Sequence, residues 1–578
     1  MFLMVNLTIN GQKVEAVENS TILEAARLAN IEIPTLCFLK GINEVGDCRM
    51  CVVEVEGRRN FATACITKVE EGMVVNTNSP KVIEARKLVL DLILSNHNRE
   101  CLTCSRNGNC ELQSLAEKFG MSKIEYEGER IPYEIDEVSP SIVRDLSKCI
   151  LCRRCVATCK NVQGIGAIDS TNRGFNSKIT TAGDKTINDV NCTFCGQCIQ
   201  SCPVGALREK DTTDVVWSKI LDPETYVVVQ TAPAVRAALG EEFGMEIGTN
   251  VTGKMVTALR NLGFDKVFDT NTAADLTIME EGNEFLERLN NNGTLPMITS
   301  CSPGWVRYSE MYYPELLNHL STCKSPHQMF GAMLKSYYAE KQGIDPKKMF
   351  VVSVMPCVAK KYESSREEMI EDVDAVITTR ELAKMIKQAQ MDFVNLPDSG
   401  FDSPMGEATG AGAIFGTTGG VMEAALRTLE EKLTGNTFAK LEYEPVRGEQ
   451  GIKRATLNLN GKEVKVVVAS GLKNAQTIMD EIKEGKADYQ FVEIMACPGG
   501  CVMGGGQPIK SSKVRATVDV RAKRAGCLYS IDEASTIRKS HENPVIKDMY
   551  ENYLGEVGGE KAHHLLHTTY SKKEKYND

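Results

Sequence analysis

The chain has 578 residues, a formal net charge of −10 and a sequence pI near 5.5. One hydrophobic core does not support so long a chain, so about three to five domains are expected. The acidic balance offers no basic stripe for phosphates, which argues against a nucleic-acid partner. No apolar run reaches the roughly 18 residues that a transmembrane helix needs, and the start MFLMVNLTINGQ resembles neither a Sec nor a twin-arginine signal. These features predict a cytoplasmic protein without a membrane span.

Cysteine usage is the most informative part of the composition, because 15 of the 21 cysteines lie within the first 202 residues. Disulfide scaffolds are short secreted domains, whereas Cys-x-x-Cys repeats in a long chain without a signal indicate metal in a reducing compartment. The sequence therefore predicts iron–sulfur clusters, an electron-transfer function and an anaerobic organism.

Residues 1–80 are predicted to form a first module that binds a [2Fe–2S] cluster. Two short alternating strands flank the Asn10-Gly11 turn, and Ser20-Thr21 then precedes an amphipathic helix. This order of hairpin, helix and cysteine loop resembles the β-grasp fold of plant-type [2Fe–2S] ferredoxins, with a wider first gap between cysteines. A structural zinc site is the alternative, but zinc favours two tight cysteine pairs. The expected ligands are Cys37, Cys48, Cys51 and Cys65.

Residues 81–125 are predicted to form a small helical module with a [4Fe–4S] cluster. The helical stretch Lys81–Asn98 leads into Cys101, Cys104 and Cys110, which leaves the cluster one ligand short. His97 lies one helical turn before Cys101, and imidazole can replace a thiolate on an iron–sulfur cluster. An incidental histidine is the alternative, but the missing ligand favours His97 as the fourth.

Residues 126–210 are predicted to form an α+β ferredoxin module with two [4Fe–4S] clusters, with a linker at 125–148. Two cysteine runs have the bacterial ferredoxin spacing, in which three cysteines hold one cube and the fourth reaches the other. Pro203 follows the last cysteine, as is usual in this repeat. The expected ligands are Cys149, Cys152, Cys155, Cys159, Cys192, Cys195, Cys198 and Cys202.

Residues 211–578 are predicted to form a large α/β catalytic domain, because apolar strands alternate with amphipathic helices from Val215 onward. Three strands end in cysteine motifs: TSCSPGW at 299–305, MPCVAKKYE at 355–363 and EIMACPGGCVMGGGQP at 493–508. Loops at the carboxyl ends of strands are where α/β folds build sites. The glycine run at 504–506 is predicted to let the backbone approach an inorganic ligand closely.

The three motifs and the order of the N-terminal modules resemble those of large clostridial-type [FeFe]-hydrogenases, and the resemblance covers nearly the whole chain. It implies reversible reduction of protons to H₂ at an H-cluster, a [4Fe–4S] cube joined through one cysteine to a two-iron unit with CO, cyanide and a dithiolate amine. Lys360 would then donate to an iron-bound cyanide, and Met355 and Met495 would pack against the two-iron unit. The implied cube ligands are Cys357, Cys497 and Cys501, of which Cys501 would bridge to the two-iron unit.

The first motif departs from the commonest family pattern, which has two adjacent cysteines before the proline. In straight register, Cys301 takes the position of the proton relay and Ser302 that of the fourth cube ligand. A thiolate is a far better iron–sulfur ligand than a hydroxyl, and a hydroxyl can still pass protons. We therefore expect Cys301 to bind the cube and Ser302 to lie nearer the open iron.

Acidic and hydroxyl residues also match the family's proton route. Glu281, Glu284 and Ser321 fall at its positions, although two carboxylates three residues apart are often only a solvated helix face. Two further cysteines, Cys323 and Cys527, match no ligand position and are predicted to be buried structural thiols.

The predicted activity is therefore that of an iron hydrogenase, with two alternatives. The first alternative is a catalytically silent relative, either an H₂ sensor or an iron–sulfur assembly factor. Sensors usually carry an appended signalling module and assembly factors lack the long ferredoxin array, and neither feature fits this chain. An electron-transfer subunit of an NADH dehydrogenase would share only the first 210 residues. No glycine-rich fingerprint for a flavin or nicotinamide is found, yet the Cys-Ser motif resembles that of subunits of electron-bifurcating complexes. The expected partners are ferredoxin and a subunit that binds flavin and NAD.

Overall fold

The computed structural model describes residues 3–126, 130–434, 443, 446, 447, 451–459 and 462–576. The first module is a five-stranded sheet in the order β2-β1-β5-β3-β4 with one helix packed on it. Asn10 and Gly11 form the first hairpin turn with φ of 49° and 82°, and Thr21 starts the helix in a capping box with Glu24. The elements are β1 (Met4–Ile9), β2 (Gln12–Val17), α1 (Ile22–Leu28), β3 (Val52–Val55), β4 (Ala62–Thr63) and β5 (Val74–Asn76).

The second module consists of two helices joined by a cysteine loop. Ser79 caps the first helix, and the backbone leaves the helical conformation at His97, which ends it. The loop that follows holds Cys101 and Cys104 in a short 3₁₀ turn before the second helix begins after Cys110. The helices are α2 (Pro80–Asn96) and α3 (Glu111–Lys118).

The ferredoxin module begins earlier than the sequence pattern suggested. We expected a linker at 125–148, of which 127–129 lie outside the described residues, but 142–144 form a buried strand that pairs with 207–209. Ile142 and Val143 of this strand are buried, and Ile142 lines one of the cysteine cavities of the module. A three-residue strand is too short to be recognised from sequence periodicity. The elements are β6 (Ile142–Arg144), α4 (Arg154–Ala157), β7 (Asp169–Thr171), β8 (Lys178–Thr180), α5 (Gln197–Ser201) and β9 (Leu207–Glu209).

The large α/β region contains two separate four-stranded sheets. The first has the order β11-β10-β13-β14 and is parallel throughout. The second has the order β12-β17-β16-β15, with β15 antiparallel to β16. The strands are β10 (Tyr226–Thr231), β11 (Lys266–Asp269), β12 (Met297–Ile298), β13 (Met349–Met355), β14 (Ala375–Thr378), β15 (Ile452–Leu459), β16 (Lys462–Ser470) and β17 (Phe491–Met495).

Helices cover both sheets, as expected for parallel strands that are buried on both faces. Within the described residues, no helix is long and apolar enough to cross a membrane. The helices are α6 (Thr213–Ile220), α7 (Thr252–Leu262), α8 (Asn271–Asn290), α9 (Pro303–Tyr312), α10 (Pro326–Met333), α11 (Ala339–Gln342), α12 (Ala359–Glu363), α13 (Thr379–Gln388), α14 (Gly410–Ile414), α15 (Gly420–Thr434), α16 (Leu472–Lys483), α17 (Ser512–Thr517), α18 (Val520–Ala534), α19 (Pro544–Met549) and α20 (Glu560–Leu566).

The ferredoxin module and the α/β region share one hydrophobic core. Ile199 and Val204 of the ferredoxin module are in the same buried cluster as Trp305 and Ile494, which lie beside the second sheet. The two regions are therefore packed as one body, which fixes the distance between the ferredoxin cysteines and the carboxyl ends of β12, β13 and β17.

Candidate active site

Four thiols converge in the loops of the first module. The backbone amide of Cys37 donates to Cys48 Sγ at 3.4 Å, and the Sγ atoms of Cys51 and Cys65 are 3.3 Å apart. Three of the four side chains are almost completely buried. The pKa of Cys65 is raised by its contact with Cys51 and by burial. Buried, crowded thiols of this kind suit a soft metal cluster that takes them as thiolates.

His97 has the buried surroundings expected of a metal ligand. The ring is 7% exposed, its Nδ1 has no hydrogen-bond partner, and burial together with Lys148 lowers the pKa of the imidazole to about 4. A neutral ring with a free lone pair is the form that binds metal. On the other side of this module, a Cβ added to Gly205 would lie 2.6 Å from Cys104 Sγ, so the ferredoxin backbone lies directly against the cysteine loop.

The eight ferredoxin cysteines form two sets of four. Each set contains the first three cysteines of one sequence run and the last cysteine of the other run. Two cavities of about 30 Å³ mark the sets. The cysteine that ends each run lies with the first three of the other run, as the bacterial ferredoxin spacing predicts. One cavity is lined by Cys149, Cys152, Cys155 and Cys202, and the other by Cys159, Cys192, Cys195 and Cys198.

The two outer modules both contact the same ferredoxin cavity. Asn43 of the first module donates from Nδ2 to the carbonyl oxygens of Cys37 at 2.8 Å and Cys152 at 3.0 Å. Arg106 of the second module donates from Nη1 to the carbonyl oxygen of Cys202 at 3.4 Å. Electrons entering at either module would therefore meet at the first ferredoxin cube.

The second ferredoxin cavity borders a third cavity, which lies between the two α/β sheets. Cys195 lines both of these cavities. The third cavity has a volume of about 80 Å³ and is lined mainly by apolar side chains, including Met355, Met495 and Phe415. The loops that follow β12, β13 and β17 bring their motifs to it. The thiols on its wall are Cys195, Cys301, Cys357, Cys497 and Cys501.

Three of these thiols form a close group. Cys357, Cys497 and Cys501 all line the cavity, and burial and then Cys357 raise the pKa of both Cys497 and Cys501. Grouped thiols suit a [4Fe–4S] cube, and the apolar space beside them, lined by methionines, suits a second metal unit attached to the cube. The residues present therefore fit an H-cluster.

The three glycines at 504–506 in the third motif lie where protein segments pack closely against one another. A Cβ on Gly504 would lie 2.1 Å from the carbonyl oxygen of Pro356, and one on Gly505 would lie 2.6 Å from that of Cys195. A Cβ on Gly506 would lie 2.9 Å from Thr378 Cβ. The glycines thus allow three protein segments to pack together. Gly504 also lines the cavity, so the expectation that the backbone approaches an inorganic ligand here stays a prediction.

Cys301 and Ser302 point to different neighbours. After burial, the pKa of Cys301 responds most to Glu281 and Cys501, which raise it, and to Lys360, which lowers it. Ser302 Oγ instead accepts a hydrogen bond of 3.2 Å from the backbone amide of Ala496, the residue before Cys497. This arrangement is compatible with the straight register of the motif, and the expectation that Cys301 takes the cube corner stays a prediction.

Lys360 is held beside the cavity by a buried network. Its Nζ contacts Glu363 Oε2 at 3.0 Å and Ser325 Oγ at 3.2 Å. Burial disfavours the ammonium, but Glu363 together with the thiols of Cys357 and Cys301 offsets it, so the pKa of Lys360 is raised. His327 also contacts Glu363 at 2.8 Å through Nδ1, while its buried Nε2 has no partner. The sequence analysis missed His327, whose only signal was the Ser325-Pro326 helix start in front of it.

Carboxylates lead from the cavity toward the surface. Burial and then Glu284 raise the pKa of Glu281 to about 8, so this side chain is largely protonated at neutral pH. Ser321 donates to Glu284 Oε2 at 2.7 Å, and Arg288 pairs with Glu284 Oε1 at 2.6 Å. Cys301, Glu281, Ser321 and Glu284 thus form a sequence of protic groups from the buried cavity to a half-buried carboxylate.

All 21 cysteines lie within the described residues and are free thiols. Cys323 and Cys527 are both buried, at 0% and 8% exposure. Cys527 packs with Ala234 and Leu528, whereas Cys323 lies 3.9 Å from Glu284 Oε2. The two thiols therefore have very different surroundings, which the sequence did not indicate.

Family models match the chain from end to end. The C-terminal match to a separate small-subunit family was not foreseen in the sequence. The matches are a 2Fe-2S iron-sulfur cluster binding domain at 3–80, the NADH-ubiquinone oxidoreductase-G iron-sulfur binding region at 86–125, the ferredoxin-like domain of NADH-quinone oxidoreductase subunit 3 at 139–208, the C-terminal domain of the iron only hydrogenase large subunit at 225–505 and the iron hydrogenase small subunit at 518–573.

Known proteins resemble the chain over its whole length. The NADP-reducing hydrogenase subunit HndD of Solidesulfovibrio fructosivorans is 50% identical, over 99% of this chain and 100% of that protein. Iron hydrogenase 1 of Clostridium pasteurianum is 47% identical, over 98% of this chain and 100% of that protein. A solved structure of the [FeFe]-hydrogenase HydA1 from Chlamydomonas reinhardtii is 42% identical with a TM-score of 0.56, covering 63% of this chain and 99% of that one. The chain therefore belongs to the [FeFe]-hydrogenases of the large clostridial type, and it interconverts protons, electrons and H₂ with its N-terminal iron–sulfur modules as the electron relay.

Proposed function

We propose that the chain is the hydrogen-converting subunit of a cytoplasmic complex in which a partner binds flavin and NAD or NADP, with ferredoxin as a second electron carrier. The observation that carries this proposal is the pair of outer modules that contact one ferredoxin cavity through Asn43 and Arg106. Two modules through which electrons can enter suit two different electron carriers. The relative named as an NADP-reducing hydrogenase subunit, matched over its whole length, supports the nicotinamide-linked partner.

Exposed apolar side chains lie above both entrances. Val45 and Ile66 flank cysteines of the first module and are 46% and 43% exposed. Leu102, between Cys101 and Cys104, is 92% exposed. Apolar side chains beside a terminal cluster favour docking of a redox partner, because they exclude water from the short gap that an electron crosses.

The accessory clusters in this proposal are one [2Fe–2S] cluster and three [4Fe–4S] clusters, in three modules at 1–80, 81–125 and 126–210. The catalytic domain follows at 211–578. The first module, of β-grasp type, uses its four cysteines, and the second uses His97 with three cysteines. The ferredoxin cubes use the two crossed sets. The proposed ligands are Cys37, Cys48, Cys51 and Cys65; His97, Cys101, Cys104 and Cys110; Cys149, Cys152, Cys155 and Cys202; and Cys159, Cys192, Cys195 and Cys198.

The catalytic cavity is proposed to hold an H-cluster with Cys357, Cys497 and Cys501 as thiolate ligands and Cys501 as the bridge. The bound group would supply the open iron and the basic amine at which H₂ is made or split. We revise the assignment of the first motif, so that Ser302 faces the cube and Cys301 is the proton relay. The hydrogen bond between Ser302 Oγ and the amide next to Cys497 supports this revision.

The surrounding residues then have separate roles. Lys360 offers a fixed ammonium to an anionic ligand, and Glu363 and His327 hold it in place. Met355 and Met495 keep the cavity dry and polarizable. Glu281 can pass a proton between Cys301 and Ser321, and Glu284 exchanges protons with water at the surface end.

The complex can be tested by tagging the chain in its own organism and purifying it without oxygen. We expect flavoprotein subunits to co-purify, and H₂-dependent reduction of NAD⁺ or NADP⁺ to require them. Leu102→Asp should lower rates with the physiological carriers but not with a small dye, whereas Leu221→Asp, at a leucine 77% exposed on the α/β domain, should change neither. A chain that purifies alone and is unaffected by Leu102→Asp would contradict the proposal.

A further inference from the structure

A second group of metal-binding side chains lies beside the proton route. Glu284, Cys323 and His567 each offer one ligand atom, and these atoms lie within 4.8 Å of one another. Cys323 Sγ is 3.9 Å from Glu284 Oε2. A thiol, an imidazole and a carboxylate are the three donor types that Zn²⁺ takes in proteins, with ligand bonds of roughly 2.0–2.3 Å. The atoms need to close by only about an ångström to surround one ion.

The backbone holds this group together. Residues 322–324 pair with 566–568 of the C-terminal segment: the amide of Lys324 donates to Leu566 O at 2.8 Å, and the amide of Thr568 donates to Thr322 O at 2.7 Å. Cys323 and His567 stand opposite each other in this pairing. The small-subunit segment, which also supplies Tyr570 to the carbonyl oxygen of Ser321, therefore closes over the proton route and brings the imidazole to the thiol.

The surroundings of Cys323 are strongly acidic. After burial, Glu284 and Glu281 raise the pKa of the thiol most, and Glu280 adds to them. Arg288 is the cation that contacts Glu284. A divalent cation would relieve the repulsion among these carboxylates and allow the thiol to ionise.

A carboxylate is already in place behind the imidazole. His567 Nε2 lies 3.1 Å from Glu280 Oε2, and Nδ1 lies 2.7 Å from Thr322 Oγ1. If Nδ1 turns from the hydroxyl to a metal, Nε2–H keeps Glu280. This is the carboxylate–histidine–metal arrangement that fixes the ring tautomer and strengthens the ligand. Glu280 also accepts from Tyr550 and from the amide of Gly558, so it is itself firmly held.

We propose that Glu284, Cys323 and His567 bind Zn²⁺, and that the bound ion inhibits hydrogen turnover by occupying the proton-carrying carboxylate of Glu284. Binding releases one proton from Cys323 and forms a zinc–thiolate bond, with no change of oxidation state. The inhibitory part rests on the proposed proton route, whereas the metal site itself does not.

The test uses the complete, anaerobically matured enzyme with one equivalent of added Zn²⁺. Zinc K-edge absorption should show one sulfur neighbour at about 2.3 Å and nitrogen or oxygen neighbours at about 2.0 Å. Turnover should fall and should return when a chelator is added. Cys323→Ser should remove the sulfur neighbour and, like His567→Gln, raise the zinc concentration for half inhibition by more than about tenfold relative to each variant's own zinc-free rate.

Cys527→Ser is the matched control, because it removes a buried thiol that lies outside the proposed site. It should leave zinc inhibition as in the parent. A shell of four sulfurs, a shell without sulfur, or equal effects of Cys323→Ser and Cys527→Ser would overturn the site. If zinc binds with one sulfur neighbour but turnover is undiminished, the inhibitory role is wrong. In that case the proposed proton route is contradicted and the metal site is not.

Discussion

Adjacent residues of the first motif are proposed to divide ligation and proton transfer between them. Ser302 accepts from the amide before Cys497, and Cys301 lies under the influence of Glu281 and Lys360. We reasoned from chemical affinity that the thiol would take the iron. The backbone supports the opposite proposal, because Ser302 starts α9 with its carbonyl accepting from Trp305 and its side chain directed toward the loop after β17.

Substitution of the two residues separates the roles. Cys301→Ala should keep the CO and cyanide infrared bands of the matured enzyme but lose most turnover, because the relay is broken while the ligands remain. Ser302→Ala should keep or weaken the bands and shift the potential of the cube, and Ser302→Cys should shift it the other way, since thiolate and hydroxyl differ as iron ligands. Loss of the bands in Cys301→Ala alone would return Cys301 to the cube.

Glu281 offers a second residue-scale prediction. Its raised pKa, about 8, means that it is neutral at pH 7, and glutamine would copy its shape and charge without its exchangeable proton. Glu281→Gln should therefore lower turnover by about 10²–10⁴-fold with unchanged infrared bands. Glu287→Gln, on the exposed face of the same helix, is the control and should retain the parent rate. Equal rates in the two variants would remove Glu281 from the route.

At the scale of elements, packing between modules depends on glycines at contact points. Gly196 starts α5 with φ of +71°, and an added Cβ would lie 2.9 Å from Val358 Cγ2 and 3.1 Å from Gly505 Cα. Gly166 has a similar φ of +67° but has nothing within 4 Å of the same point. Alanine at Gly166 therefore tests only the energetic cost of a left-handed backbone. Alanine at Gly196 tests the same cost together with a steric clash between the ferredoxin module and the catalytic loop.

Gly166→Ala should lower stability by about 1–2 kcal/mol, the cost of a left-handed alanine. Gly196→Ala should add about 1–3 kcal/mol for overpacking against fixed backbone. Loss of iron–sulfur absorbance during anaerobic heating measures both. Electron transfer from reduced accessory clusters to the active site should also slow in Gly196→Ala alone. If the two variants behave identically, the contact of Gly196 with Val358 and Gly505 accommodates the added methyl group without loss of stability.

Sequence reasoning reached the elements whose signals are local. The Asn10-Gly11 hairpin, the capped first helix and the strands that precede the three motifs follow from turn residues and apolar runs. It could not reveal that these strands belong to two different sheets, because pairing depends on contacts far apart in the chain. The position of His327 beside Glu363 and the protein contacts of the glycines at 504–506 escaped it for the same cause, and the strand at 142–144 was too short to recognise.

At the scale of the whole molecule, the modules form one continuous electron path. The outer modules meet at the first ferredoxin cavity, the two ferredoxin cavities lie in one shared core, and Cys195 borders both the second and the catalytic cavity. The ferredoxin module and the α/β region share one core, which holds their cavities side by side. Electron transfer then depends on fixed separations rather than on docking within the chain, and only the entrances at the outer modules need a mobile partner.

The proposed ligand sets predict the metal content of the active enzyme. The ligand sets account for one [2Fe–2S] cluster, three accessory cubes and the H-cluster, so anaerobically matured protein should contain about 20 iron atoms per chain. His97→Cys should keep that number, because thiolate replaces imidazole, while lowering the potential of its cube through the added negative charge. Metal analysis and redox titration measure the two quantities. Full hydrogenase activity with fewer than about half of this iron would break the assignment of the modules, since the path would then lack clusters that the ligand sets require.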